Sequence, residues 1–275
     1  MSLEPTPTNP AETYQSYFVP AKFGPCAQIL LGQAKPQLGE HVLDVACGTG
    51  VVARMAAPLV GPTGRVVGLD VNAAMLSVAR HQSTGIQPPI EFREDNSLAM
   101  TLPDASFDLV VCQQGLQFFP DQAAAVREMR RVLKPDGRAV VACWCGLESA
   151  PAVSTLLHAQ AKYLNMPIAL FAKPHSMVDA DMLRTLFSGA GFQHVEVTAH
   201  KVQTRFSQPE RFVQLHIEST AAAVPIMQQM DVTTRVQMAE EVAHELRDEM
   251  RQYVEGEYLV SPMSTWIVVA KVAAR

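Results

Sequence analysis

Val42-Leu43-Asp44-Val45-Ala46-Cys47-Gly48-Thr49-Gly50 decides the fold. Together with His41 it opens as a short β-branched run, His41 to Ala46, which predicts a strand. Cys47 to Gly50 then turns the chain, and Val51 to Leu59 carries helical sequence, so the stretch is strand, glycine turn, helix.

The unit repeats downstream. A second strand is predicted over Arg65 to Leu69, ending at Asp70, and Asn72 stands where it would cap a helix through Met75, Leu76 and Ala79. Ile90 to Arg93 and Phe107 to Cys112 read as a third and a fourth strand. Asp121 opens a helix with apolar residues at Val126, Met129, Val132 and Leu133, and Lys134-Pro135-Asp136-Gly137 closes it, because proline and glycine do not continue helix. Arg138 to Trp144 is the fifth strand. Strands alternating with helices predict an α/β fold, a doubly wound, mainly parallel sheet covered on both faces.

The second half is less regular. Helical sequence from Ala152 to Leu164 precedes Asp179 to Phe187, with Asp179 as cap, and an alternating strand spans Phe192 to Val202. Ser207 with Glu210, and Thr234 with Gln237, have capping-box spacing. They predict two or three helices up to Val260, before a last strand at Thr265 to Val272. The division expected is a tail over 1–10, a helical flap over 11–36, an α/β domain over 37–205, a helical lid or dimer element over 206–262, and the last strand over 263–275.

Composition narrows the function. In 275 residues, hydrophobic side chains make up 48% and charged ones 18%, enough for one sizeable core. Only Ser2 to Pro10, with three prolines and no apolar period, reads as unstructured. The net charge of -5 with dispersed basic residues leaves no footprint for nucleic acid. No long apolar run or leader pattern stands in the chain, so no membrane span and a cytoplasmic location are expected. Cys26, Cys47, Cys112, Cys143 and Cys145 are odd in number, and three lie in strand sequence, which suits reduced, buried thiols. No further Cys or His completes ligand spacing around Cys143 and Cys145, so no metal is expected.

The chemistry lies in three carboxylates at successive strand ends: Asp44, Asp70 and Asp95. In a doubly wound sheet the strand C-termini line the crevice where ligands bind. Gly48 and Gly50 let the backbone approach a ligand, Asp70 can accept from both hydroxyls of a ribose, and Asp95 can accept from an exocyclic amine such as adenine's. Gly48-x-Gly50-x-x-Ala53 also satisfies the dinucleotide fingerprint, so a NAD-dependent dehydrogenase is the rival. Asp44 discriminates. Two like charges about 5 Å apart at an effective dielectric of about 20 repel by about 3 kcal/mol, which disfavours a pyrophosphate there, whereas an ammonium or sulfonium is attracted.

Val42 to Gly50 resembles the first motif of class I S-adenosylmethionine-dependent methyltransferases, particularly the branch of the ubiquinone and menaquinone biosynthesis methyltransferases. Val67-Gly68-Leu69-Asp70 with Asn72 to Leu76 resembles the second motif and Phe107 to Gln113 the fourth. Glu128 to Gly137 resembles the helix and turn before the fifth strand. The resemblance runs over Gly39 to Trp144. It implies a seven-stranded Rossmann-like sheet with an antiparallel last strand, and S-adenosylmethionine across the ends of the first four strands. By motif position, Asp44, Ala46, Gly48 and Gly50 would surround the methionine part, Asp70 the ribose, Val71 and Met75 the adenine faces, and Asp95 and Asn96 the adenine edge. The Gln113 backbone would hold the amino-acid tail. Gln113 to Gln117 departs from relatives that often carry histidines there, which removes a histidine base from that loop.

On the acceptor side the candidates are Tyr17, Gln114, Gln117, Phe118 and Trp144. Tyr14, Tyr17 and Phe18 form a flap over the cofactor or simply pack. His158, His175 and His216 lie in segments that could cover the crevice, but a lone histidine without a partner is commonly exposed or satisfied, and no catalytic base is named. Phe118, Phe119, Phe171 and the Met-rich C-terminal region suggest a hydrophobic or aromatic small-molecule acceptor. The helices from Ser207 to Val260 either close over that acceptor or join two copies in a homodimer. A module that binds S-adenosylmethionine without catalysis is the third reading.

Overall fold

The computed structural model describes residues 9–221 and 224–273; the expected tail over 1–10 thus lies largely outside the described residues. Its last two positions are ordered as a helix start, because the Asn9 side chain accepts from the Ala11 backbone N–H and Pro10 takes the first helical position.

The strands are β1 His41–Val45, β2 Arg65–Asp70, β3 Ile90–Glu94, β4 Phe107–Gln113, β5 Leu133–Trp144, β6 Gln193–Ser207, β7 Val254–Glu255 and β8 Tyr258–Lys271. They form one sheet in the order β3-β2-β1-β4-β5-β8-β6, with the two-residue β7 paired beside β8. β1 to β5 run parallel, and β8 lies antiparallel between β5 and β6. The seven long strands match the expected count; β7 is an addition.

Alternation along the strands divides two cores. Val42, Val66, Leu109, Val111 and Val140 face one, and Leu43, Val67, Val110 and Val141 face the other. The first core is covered by the π-helical Tyr14–Phe23, α2 Gly24–Ala34 and α3 Val51–Val60, with α6 Pro151–Tyr163, α8 Phe212–Ala221, α9 Pro225–Gln229, α10 Val232–Glu245 and α11 Arg247–Arg251 further along, while α1 Pro10–Thr13 packs on the π-helical segment and on α4 Ala73–Gln82, which lies against β2 and β3. The second is covered by α5 Gln122–Val132 and α7 Ala180–Gly189.

Several caps stand where the sequence placed them: Asn72 accepts from Ala74 and Met75, Asp121 from Ala124, and Asp179 from Asp181. Others do not. Ser207 is the last residue of β6 and caps nothing, because the β6–β8 ladder extends through Ser207 opposite Tyr258, well past the expected Val202. Thr234 lies inside α10, whose cap is Asp231, since the Asp231 carboxylate accepts from both the Thr234 N–H and its hydroxyl. The turn at Lys134 to Gly137 is an excursion within β5: Leu133 pairs with Phe107, Arg138 pairs with Leu109, and Asp136 takes φ +62° between them.

Candidate active site

β1 places Asp44 in the protein interior, 1% exposed, on the face that α3 covers. Its Oδ2 accepts from the Ala53 backbone N–H at 3.0 Å, while Oδ1 is buried with no partner. Burial pushes the carboxyl up to about 8, against the Ala53 hydrogen bond and with help from the Asp70 charge; Arg54 opposes it. Between these strand ends the chain turns through positive φ at Ala46 (+55°), Gly48 (+54°) and Gly50 (+79°). At Gly50 a Cβ would stand 3.0 Å from the Phe92 ring, so this position requires glycine on two counts.

Asp70 ends β2. Its Oδ2 accepts from the Gly48 N–H at 2.8 Å and its Oδ1 from the Asn72 N–H at 2.9 Å, which aims the carboxylate across the turn. Burial raises its pKa, and these backbone donors hold it back. Beside it, Val71 is exposed and Met75 half-buried on α4. The Asp95 N–H donates to the Asp70 carbonyl at 3.1 Å, which brings the third strand end alongside the second. The Asp95 side chain accepts from Asn96, Thr101 N and Thr101 Oγ1; burial works against the carboxylate, but these donors hold it below the usual carboxylate range. Asn96 is exposed and its side chain accepts from the Leu98 N–H.

Over this floor lies the N-terminal segment. A Cβ at Gly48 would stand 3.9 Å from the Tyr14 ring, and Tyr14 stacks on Phe23 with centroids 4.7 Å apart. Burial, then the charges of Asp70 and other neighbours, raises the Tyr14 phenol far above its ordinary value. Gln113, at the end of β4, donates to the Phe23 carbonyl at 3.1 Å and keeps a buried Oε1 without a partner. Trp144, at the end of β5, is 3% exposed with its ring 6.3 Å from Phe23. Trp144 thus packs toward the N-terminal segment.

The other acceptor-side candidates separate. Tyr17 is buried against Phe18 and Phe206, with a hydroxyl that has no partner. Gln114 and Gln117 are buried: Gln114 Nε2 donates to Thr265 Oγ1 and Cys26, tying the end of β4 to β8, and Gln117 Nε2 donates to Gln114 Oε1, while the Gln117 Oε1 is buried without a partner. Phe118 is half exposed.

Three titratable side chains, Lys22, His175 and His216, influence one another here. Lys22 places its ammonium 4.9 Å from the centroids of both Phe18 and Phe23, and burial pushes it down to about 8. His175 and His216, buried, are lowered by burial and further by the Lys22 charge. The His175 Nδ1 lies 2.9 Å from the Cys145 carbonyl and that of His216 3.0 Å from the Phe212 carbonyl. A carbonyl only accepts, so both rings carry their proton on Nδ1. The signal available for Lys22 was a single charge inside the apolar stretch from Tyr17 to Leu31. His158 instead sits exposed on α6, bonded to Ser154.

The set of acceptors fits a nucleoside that carries positive charge. Asp44 Oδ1 is a buried acceptor awaiting a donor, and two carboxylates face one turn. A dinucleotide fits poorly, because the α3 N-terminus that would bind its pyrophosphate already gives the Ala53 N–H to Asp44. Burial keeps these thiols protonated, lifting Cys26 to about 11 and Cys112 to about 12, and Cys47 well above its ordinary value. Among the described residues no group of three or more potential ligands gathers for a metal.

The profile of the methyltransferase-domain family matches residues 42–137. The demethylmenaquinone methyltransferase of Staphylococcus carnosus is 34% identical over 174 residues, 58% of this chain and 70% of that protein. The chain belongs to the class I S-adenosylmethionine-dependent methyltransferases, in their ubiquinone/menaquinone branch. Within that branch it is also 47% identical over 105 residues to a ubiquinone/menaquinone biosynthesis C-methyltransferase of Hahella chejuensis, though it spans only 42% of that relative's length. In structure, this methyltransferase aligns with a methyltransferase-like protein of Bacillus halodurans at a TM-score of 0.57 and 20% identity, over 90% of this chain and 99% of the other. It aligns with the cyclase SpnF at 0.59 and 19% identity, over 92% and 82%. Likeness at that level is likeness of fold, and the pairing of a methyltransferase-like protein with a cyclase shows that the fold alone does not choose the reaction.

Proposed function

We propose that this methyltransferase binds S-adenosylmethionine across Asp44, the Gly48–Gly50 turn and Asp70, and passes its methyl group to a small hydrophobic or aromatic acceptor, of the quinone-related class that the relatives' names denote. The observation that carries the cofactor reading is the Asp44 carboxylate, buried with one oxygen unpartnered beside the glycine turn. Ala46 and the Gln113 backbone complete the surroundings of the methionine part; Val71, Met75, Asp95 and Asn96 bound the adenine.

When bound, S-adenosylmethionine supplies a methyl group on a sulfonium, which departs as a neutral thioether once an acceptor electron pair takes the methyl. The chain supplies alignment and exclusion of water. Asp44 offers negative charge to the cationic ligand and Asp70 offers ribose acceptors held by Gly48 and Asn72. Tyr14 roofs the turn, and the rings of Phe23 and Trp144 bound the acceptor side.

We assign Tyr17, Phe118 and Trp144 to the acceptor side, with Gln114 and Gln117 as its brace. The helices between β6 and β7 serve as its cover or as a dimer contact, the segment from β1 to β6 with β8 as the cofactor-binding body, and 11–36 as the flap. The net charge of -5 favours a small molecule over nucleic acid. Among the described residues no helix is long and apolar enough to cross a membrane, in keeping with work in the cytoplasm.

The test is native mass spectrometry of the purified protein followed by a screen of quinol, phenol and amine acceptors for S-adenosylhomocysteine formation. A retained adenosyl ligand and turnover with an aromatic acceptor are expected. Ligand binding without turnover on any acceptor would leave a binding module.

A further inference from the structure

We propose that Arg54 is a positioning residue for the cofactor: its guanidinium clamps the glycine turn through the Thr49 carbonyl and, through Gln15, latches the N-terminal flap onto that turn. The inference rests on the S-adenosylmethionine reading and names the residue that holds the site closed.

Arg54 stands at the end of the first turn of α3. That is an unfavourable place for a cation, because the unpaired N–H groups of a helix start already carry positive partial charge. Contacts that this place allows offset the cost. The side chain folds back past the helix start, and one terminal nitrogen donates to the Thr49 carbonyl. The other donates to the Gln15 side-chain oxygen at 3.3 Å, across 39 residues of chain.

The first contact fixes a peptide plane. The Gly50 N–H donates to the Cys47 carbonyl at 2.8 Å, and in a trans peptide the Thr49 carbonyl points the opposite way, toward Arg54. The Thr49–Gly50 peptide is thus held at both ends, and beside it the Gly48 N–H is held by Asp70. Thr49 is fully buried, so the guanidinium satisfies a carbonyl that solvent does not reach freely.

The second contact brings in the flap. Tyr14 and Gln15 are consecutive and both arrive at the turn: the Tyr14 ring lies beside Gly48, and Gln15 reaches Thr49 by way of Arg54. A ligand leaving from beneath Tyr14 displaces this segment, so the Arg54–Gln15 bond belongs to the barrier against its release.

Arg54 also completes the electrostatics of Asp44. The other titratable groups around that carboxylate are Asp70 at the end of β2, Tyr14 from the flap, Cys47 in the turn and Cys112 on β4. None of these carries positive charge. Burial raises the Asp44 carboxyl and Asp70 adds to the rise, while the Ala53 N–H and the Arg54 charge oppose it. Clamp and charge therefore come from adjacent residues of one helical turn.

Three variants separate the latch from the charge. Gln15→Leu removes the latch and keeps the charge, Arg54→Met removes both, and Arg54→Lys keeps the charge without the fork. Release of S-adenosylhomocysteine from the immobilised protein, followed by surface plasmon resonance, should be about fivefold faster in Gln15→Leu and about tenfold faster or more in Arg54→Met. Calorimetric titration with S-adenosylmethionine at a series of pH values gives the second readout. The rise of affinity with pH should stay in place in Gln15→Leu, move upward by about half a pH unit in Arg54→Met, and return in Arg54→Lys. Thermal melting confirms that each variant is folded. A profile that stays in place in folded Arg54→Met, or an unchanged release rate in Gln15→Leu, overturns the inference. If the unaltered protein binds neither ligand, the cofactor reading itself fails and the clamp with it.

Discussion

The Gly48 backbone N–H donates to Asp70 Oδ2 at 2.8 Å, so the glycine turn after β1 and the carboxylate ending β2 are held as one unit before any ligand arrives. The Asn72 N–H fixes the second oxygen at 2.9 Å. A ribose approaching this edge meets acceptors already oriented, which spares the entropy of ordering them. Asp70→Ala should weaken S-adenosylhomocysteine binding on the order of a hundredfold, as expected when charge-assisted hydrogen bonds worth about 1.5–3 kcal/mol each are lost. Isothermal calorimetry reads this directly, and unchanged affinity would separate Asp70 from the nucleoside.

Asp44 sets a pH dependence. Burial raises its carboxyl to about 8, so the fold favours the neutral form. That contribution is complete below the ordinary carboxylate range and is lost as pH rises toward about 8. A cationic ligand reverses the preference. Affinity for S-adenosylmethionine should therefore rise with pH up to about 8, with proton release on binding below that value. Asp44→Asn should abolish the proton release, weaken binding and stabilise the ligand-free protein at pH 8, as followed by calorimetry in two buffers and by thermal melting.

Gly50 separates two costs. It sits at φ +79°, and an added Cβ would meet the Phe92 ring at 3.0 Å and Ala79 at 3.3 Å; Gly85 sits at φ +81° with no atom within 4 Å of its would-be Cβ. Gly85→Ala should cost about 1 kcal/mol from backbone strain alone, and Gly50→Ala about 2–4 kcal/mol with overpacking added. Denaturant midpoints at unchanged slope measure both.

The parallel half of the sheet was readable because its strands are short apolar runs whose ends carry turn residues, and each such end is set by local chemistry: Asp44 before the Gly48–Gly50 turn, Asn72 capping α4, Asp121 capping α5. The C-terminal half was harder because long-range pairing overrides local signals there. Ser207 has capping-box spacing, yet the ladder between β6 and β8 keeps it in strand opposite Tyr258. Gln114 looked like an acceptor contact by its place after β4, but it bonds Thr265, 151 residues away, a partner that no local pattern reveals. Lys22 and His175 come together from distant parts of the chain, so their meeting is invisible to spacing.

The most direct measurement is a pair of calorimetric titrations of the purified protein, one with S-adenosylmethionine and one with NAD. Binding of S-adenosylmethionine with clearly higher affinity, lost in Asp70→Ala, is the outcome the buried carboxylate and the glycine turn require. Tighter binding of NAD would contradict the account, because it would put a pyrophosphate where Asp44 already occupies the helix end.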